Sequence, residues 1–354
     1  MGFESRRPTR GASDTGKVGA DRLPAMAVPC VRVPVENGEA TRQRLADADL
    51  VDADHAITGG DDDGFLYVPV TDPEAVPGDL AVVDFDAPER RTQTTPAELL
   101  GFDPSYARLG DIAVVDEDDD ERARRTAEAL VESDIPVETV LNRASKIKGE
   151  QRVRDWDVLA GDSTETVHRE YGHEFALDLD AVYFSPRLAT ERHRVVEHVR
   201  AGERVFDMFA GVGPYAVPMA AAGAEVVATD VNETAVEYLR ENARRNGVAD
   251  RVTAIPGDVR ETASEYEGWA DRLVMNLPHT AGDFLDTAVA LAGDDCVLHY
   301  YDIQHEDGRF DAGEAAIREA AKPDYDVTVE TRHTVRSYAP HEFNVVLDVR
   351  LTRR

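Results

Sequence analysis

From about residue 190 onward, apolar β-type runs and helical runs alternate along the chain. A helix (ERHRVVEHVRA) precedes the strand RVFDMFAG. There follow a helix (PYAVPMAAAG), the strand EVVATD, a helix (ETAVEYLRENARRNG), the strand VTAIPGD and the strand RLVMNLP, then more helix and strand. Apolar strands separated by helix-length connections can bury both faces of a sheet only if the helices cover it on both sides. This predicts a doubly wound parallel sheet. In such sheets ligands bind outside the carboxyl ends of the strands, so those ends are where chemistry is sought first.

The first strand runs into Asp207-Met208-Phe209-Ala210-Gly211-Val212-Gly213-Pro214. The second ends at Asp230-Val231, the third at Gly257-Asp258-Val259 and the fourth at Asn276-Leu277-Pro278. Each loop therefore carries a polar group suited to a nucleoside-like ligand. Gly211, Gly213 and Ala216 fit G-x-G-x-x-A, with Asp230 about twenty residues further on, a pattern shared by dinucleotide sites. Three features favour S-adenosylmethionine over a nicotinamide. Asp207 can meet the cationic amino-acid end of that cofactor. Pro214 opens the next helix without an N–H, which removes a donor where a pyrophosphate would bind. Asp258 can contact adenine. Asp230 takes the ribose hydroxyls in either case. Any one of these residues alone can equally be a strand-to-helix turn residue.

The rest of the chain divides by composition. Residues 1–28 are rich in Gly, Ser and Arg without periodicity and read as a disordered tail. Residues 29–73 hold a strand, a short amphipathic helix and the alternating strand FLYVPV, a small α+β module. Residues 74–98, with DPEAVPGD, read as a linker. Residues 99–180 carry DIAVV, the acidic run DEDDDE, the helix RARRTAEALVES and several β-like runs, an α+β pattern. The acidic run suits the positive end of a helix dipole. Residues 181–354 form the Rossmann-like part.

The formal net charge is −31, and only four residues are lysine: Lys17, Lys146, Lys148 and Lys322. At molar salt the Debye length is about 3 Å, so such self-repulsion would be screened. The composition points to a halophilic protein, and global charge then excludes no nucleic-acid role. Cys30 and Cys296 lie far apart without histidines at ligand spacing, so neither a disulfide framework nor a zinc site is expected. No apolar run is long enough to span a bilayer, and the N-terminal residues lack a secretory apolar segment. A cytoplasmic, monomeric protein is expected.

Longer motifs carry a resemblance. Tyr183 to Arg192 (YFSPRLATER), DMFAGVGP, MNLPHTA at 275–281, HYY at 299–301 and VRSYAPHEFNVVLDV at 335–349 resemble the archaeal tRNA (guanine-37, N1) methyltransferases over roughly residues 29–354. The resemblance implies a Rossmann-like catalytic domain preceded by an α+β RNA-binding domain and a small tRNA-binding module. By matching motifs, Arg192, Asp230, Val231, Asp258, Val259 and Asn276 would contact the cofactor. Asn276 would also orient the flipped base, and Arg152 and Glu191 would act on the guanine. Arg152 can equally be a structural partner of acidic neighbours, and Glu191 a helix-start residue.

Guanine N1 carries a proton, so a base must remove it, and charge then develops on O6. A carboxylate and a guanidinium suit those two tasks. Between Arg143 and Arg154 lie five basic residues, Arg143, Lys146, Lys148, Arg152 and Arg154, and one acid, Glu150. In so acidic a chain this concentration marks a candidate phosphate contact, which Arg187, Arg192 and Arg194 can extend. The same scaffold also serves a wyosine-pathway aminocarboxypropyl transferase, expected to lack SPRLATER and NLPHTA together. A non-catalytic RNA-binding protein and a nicotinamide oxidoreductase are the remaining alternatives.

Overall fold

In the N-terminal part, Val31 and Val33 point one way from their strand and Cys30 the other, so this strand is buried from both sides. The computed structural model, which describes residues 27–59, 64–90, 93–144 and 155–354, divides the chain into two units at residue 93. In the first unit, β1 (Val28–Pro34) is followed by α1 (Gly38–Asp47), β2 (Thr58–Gly59), β3 (Phe65–Pro69) and β4 (Ala81–Phe85). The antiparallel sheet has the order β2-β3-β1-β4. Val31, Val33, Val68 and Val70 pack with Leu45 of α1 on one side, and Cys30, Tyr67 and Ala87 cluster on the other. The segment 74–98, expected to be a linker, therefore contains a paired strand. Its five residues are too few to show periodicity against the Pro/Gly signals before them.

The second unit begins with α2 (Pro96–Leu100), β5 (Tyr106–Leu109), β6 (Ile112–Val115), α3 (Asp120–Glu132), β7 (Thr139–Arg143) and β8 (Trp156–Ala160). Its four strands form a sheet in sequence order, with β6 and β7 parallel and α3 as the crossover. The acidic run supplies the start of α3. Asp119 accepts the Arg122 N–H, and Asp120 and Glu121 lie in the first turn. A hairpin follows, β9 (Glu165–Glu170) and β10 (His173–Asp178), turning at Tyr171 and Gly172, both with positive φ.

The remaining elements are α4 (Ala189–Val196), β11 (Arg204–Asp207), α5 (Ala216–Ala221), β12 (Glu225–Asp230), α6 (Glu233–Arg245), β13 (Val252–Pro256), α7 (Val259–Thr262) and β14 (Ala270–Met275). After these come α8 (Leu285–Leu291), β15 (Ala292–His305), α9 (Asp311–Ala321), β16 (Tyr325–Ala339) and β17 (Glu342–Arg353). The seven-stranded sheet has the order β13-β12-β11-β14-β15-β17-β16. It is parallel except for β17, which runs antiparallel between β15 and β16. The strand order reverses between β11 and β14, and that reversal opens the crevice in which such sheets bind ligands.

The β9–β10 hairpin packs on this sheet's helices, although it lies before residue 180. Buried Asn242 of α6 accepts the Ala176 N–H at 2.7 Å and donates to the carbonyls of Ala176 and Val212 at 3.1 and 2.9 Å. A single amide thus ties the hairpin, α6 and the glycine loop together. Phe175 and Leu177 share one apolar core with Val205, Val226 and Leu239.

Candidate active site

The loop after β11 is held by its neighbours before any ligand is considered. The Met208 N–H donates to Val274 of β14 at 3.0 Å, and the Ala210 N–H donates to Thr229 of β12 at 2.8 Å. Asp230 then clamps the loop. Its Oδ2 accepts the Gly211 N–H at 2.7 Å, and its Oδ1 accepts the Asn232 N–H at 2.9 Å. Gly213 has a φ of +89°, and a Cβ there would sit 2.3 Å from Leu239 Cδ1, so only glycine lets α6 approach this closely. Asp230 thus shapes the loop itself, beyond any contact with a ribose.

Asp207, the last residue of β11, is fully buried, and among the described residues neither carboxylate oxygen has a hydrogen-bond partner. Burial pushes its pKa up to about 7; the nearby Phe209 N–H opposes the shift and the Asp230 charge adds to it. A buried carboxylate that no donor meets at full hydrogen-bond geometry is costly unless a cation or donor comes to it. The ammonium of an amino-acid ligand supplies both, so the residues fit the methionine end of S-adenosylmethionine. Phe209 packs edge-on against Phe284 at 4.9 Å. Phe284 in turn lies under the Arg260 guanidinium at 4.8 Å, and Arg260 pairs with Asp258. That pairing holds the Asp258 carboxyl below its usual range. Val231 is 43% exposed at the end of β12, whereas Val259 is buried at the start of α7. Half-buried Asn276 follows β14, and its amide has no hydrogen-bond partner among the described residues.

Glu191, in the first turn of α4, is 4% exposed and heavily engaged. Arg194 forks onto it, Nε to Oε2 and Nη2 to Oε1, both at 2.8 Å. Tyr301 of β15 donates to Oε1 at 2.7 Å, and Tyr215, just past the glycine loop, donates to the Tyr301 hydroxyl at 2.8 Å. This two-tyrosine chain links Glu191 to the loop that follows Asp207. Nothing periodic marks Tyr215 or Tyr301 in the sequence. Only the HYY motif pointed at the second.

The other expected residues are spread more widely. Arg192 is 2% exposed, and its guanidinium is taken by Glu170 at 2.7 and 2.5 Å and by the Ser185 carbonyl at 3.0 Å. It lines a cavity of about 310 Å³ with Tyr171, His193 and Pro218, which none of the strand-end residues above lines. Neither Arg192 nor Arg194 is placed to extend an exposed phosphate-binding patch, because buried carboxylates hold both. Arg143 pairs with Asp116, and its Nε is buried without a partner among the described residues. Arg187 is exposed in a short turn before α4. Arg152, Arg154, Lys146 and Lys148 lie outside the described residues. Among the described residues no cluster of His, Cys, Asp or Glu is arranged to hold a metal ion, and no helix is long and apolar enough to cross a membrane.

Known proteins match most of this chain. Residues 166–330 match the TRM5/TYW2 methyltransferase domain, residues 30–76 the tRNA methyltransferase 5 N-terminal domain, and residues 92–164 the TYW2 N-terminal domain. The chain is 38% identical over 333 residues to the tRNA (guanine(37)-N(1))-methyltransferase Trm5b of Pyrococcus abyssi, covering 91% of this chain and 98% of the relative. The crystal structure of that Trm5b superposes with a TM-score of 0.67 at 39% identity, covering 92% of this chain and 99% of the other. A complex of aTrm5 with tRNALeu superposes at 0.70 with 30% identity, covering 91% and 99%. A tRNA(Phe) (4-demethylwyosine(37)-C(7)) aminocarboxypropyltransferase of Pyrococcus horikoshii is 34% identical, over 64% of this chain and 81% of its own.

Proposed function

Because this chain belongs to the TRM5/TYW2 methyltransferase family, we propose that it transfers the methyl group of S-adenosylmethionine to N1 of guanosine 37 in tRNA. The observation that carries this over aminocarboxypropyl transfer is the N-terminal module. Residues 30–76 match the tRNA methyltransferase 5 N-terminal domain, and the Trm5b relative spans 91% of the chain where the aminocarboxypropyltransferase spans 64%. The test is mass mapping of nucleosides after incubating tRNA with the protein and cofactor labelled in its methyl group. Labelled 1-methylguanosine at position 37 is expected. A mass gain of an aminocarboxypropyl group, or no labelled nucleoside, overturns the reading.

When bound, S-adenosylmethionine supplies a methyl group on a sulfonium sulfur. Asp207 would hold the ammonium of the methionine end, Asp230 would accept from the ribose hydroxyls, Val231, Asp258 and Val259 would contact the adenine, and Phe209, Gly211 and Gly213 would supply the loop of the site. Glu191 takes the N1 proton of a guanine flipped out of its loop. Arg152 stabilises charge on O6, a role that rests on the motif resemblance. Asn276, with its amide uncommitted, orients the base or the cofactor. Arg192, given a cofactor contact by the resemblance, is held in a buried ion pair with Glu170 that ties α4 to the hairpin.

The same reading assigns residues 29–73, continued by β4, to binding the tRNA outside the catalytic unit, and the middle sheet around 99–160 to RNA contact. Arg143, Lys146, Lys148, Arg154 and Arg187 supply phosphate contacts there. The protein works as a monomer in a salt-rich cytoplasm. Folding and activity therefore rise from dilute buffer to molar KCl, as circular dichroism and the methyl-transfer assay would register. Full folding and highest activity in dilute buffer would rule out the halophilic part.

A further inference from the structure

Glu191 presents a chemical difficulty. A carboxylate gripped by both edges of a guanidinium is a weak base, because the cation stabilises the charged form. The way Arg194 is shared resolves it. Its other face meets Asp348 of β17, Nη1 to Oδ2 at 2.7 Å and Nη2 to Oδ1 at 3.2 Å. Asp348 also faces His299 Nδ1 at 2.6 Å, and His299 Nε2 lies 2.6 Å from Arg272 Nη1. Arg272 continues to Glu203 at 2.8 Å and to the His198 carbonyl at 3.1 Å.

The tautomer follows from the partners. A guanidinium has only N–H donors, so His299 Nε2 must accept, and the ring proton sits on Nδ1 and donates to Asp348. A second ring proton would point at Arg272. Burial and the two arginines keep the imidazole neutral, against the pull of Asp348. The chain then holds three anions (Glu203, Asp348, Glu191) and two cations (Arg272, Arg194). Among the described residues, three other ionisable or hydroxyl groups stand near Glu191. Tyr301 donates to it, Tyr215 stands behind Tyr301, and His333 of β16 approaches Oε2 at 3.7 Å. Its helix neighbour Arg192 is turned to Glu170.

We propose that Asp348, oriented by neutral His299, is a positioning residue that divides the charge of Arg194 between two carboxylates, so that Glu191, the group that takes the guanine proton, does not hold the guanidinium alone. The inference rests on Glu191 being the base. Its consequence is a pair of opposite pH shifts. In Asp348→Asn, Arg194 belongs wholly to Glu191 and a nearby negative charge is gone. The base ionises more easily, so the rising limb of the rate moves to lower pH by about one unit, and the plateau falls about tenfold. In Arg194→Gln the cation is lost, the base ionises less easily, and the limb moves to higher pH.

The experiment is quenched single-turnover methyl transfer by the full-length protein to tRNA across pH, with cofactor affinity measured for each variant by calorimetry. Shifts of opposite sign support the proposal. A lower plateau with the limb unmoved in both variants makes Asp348 merely structural and overturns it. If Arg194→Gln does not bind cofactor, Asp348→Asn decides alone. Glu191→Gln separates the two readings. If it reacts at the wild-type rate, the assignment of the base has failed. If it is slow while Asp348→Asn keeps the wild-type limb, only the present proposal has.

Discussion

The glycine-loop region and the α4–β17 region each bury a carboxylate, and they treat it in opposite ways. Among the described residues, Asp207 has no hydrogen-bond partner on either oxygen. Glu191 has a guanidinium fork and a tyrosine hydroxyl, and its guanidinium is itself shared with Asp348. The difference separates a group built to meet a cation that arrives from one whose charge is managed by the protein itself. An orphaned buried carboxylate is a binding feature. It destabilises the protein alone and is satisfied by the ligand. A buried carboxylate with internal partners is preorganised, and it can exchange a proton without first gathering its surroundings.

The sharpest way to break this comparison is Glu191→Gln, which keeps the shape but cannot accept a proton. Single-turnover methyl transfer should slow by about 10²–10⁴, with cofactor and tRNA affinity little changed. If the rate falls only because cofactor binding is lost, Glu191 is a scaffold residue and the contrast with Asp207 disappears.

Asp207 gives the next largest effect, in stability. Its pKa stands at about 7 in the folded protein against about 4 when unfolded. A group raised on folding contributes stability that is present below its unfolded pKa and lost as pH rises through the folded one. Relative to Asp207→Asn, the cofactor-free wild type should therefore lose up to about 4 kcal/mol between pH 4 and pH 7. Urea unfolding of both proteins across that window, at fixed high salt, measures the difference. Saturating S-adenosylmethionine should flatten it, because the ammonium stabilises the ionised form. Parallel curves for the two proteins would mean that Asp207 already has an internal partner.

Asp230→Ala sharpens the loop side of the comparison with the smallest effect. It removes the clamp on the Gly211 N–H and, on the proposed reading, the acceptor for the ribose. Cofactor affinity should fall at least about tenfold by calorimetry, since hydrogen bonds to a charged group contribute roughly 1.5–3 kcal/mol. Unchanged affinity would place the ribose elsewhere.

Much of the catalytic sheet was legible in the sequence for a local reason. A strand, its terminal acid and the following glycines are contiguous, so Asp207, Gly211, Gly213, Asp230, Asp258 and Asn276 could be read in order from the alternation of elements. Helix and strand periods report which face is buried, and strand ends report where polar groups collect. The acidic start of α3 was legible for the same reason. The five-residue strand β4 was hidden by the linker signals around it, and the place of the β9–β10 hairpin depended on Asn242, far along the chain.

The sequence by itself determined the doubly wound sheet, its cofactor loop and the identity of the acids at its strand ends, because each is written in residues adjacent in the chain. Only the tertiary structure decided what the buried charges do. Arg194 and Asp348 are 154 residues apart, Glu191 and Tyr301 110 apart, and Arg192 and Glu170 22 apart. No period or local motif encodes such pairs. An arginine reads the same in sequence whether it reaches solvent phosphates or a buried carboxylate. Packing chooses between these, because a charge removed from water must find its partner wherever the fold brings one within reach.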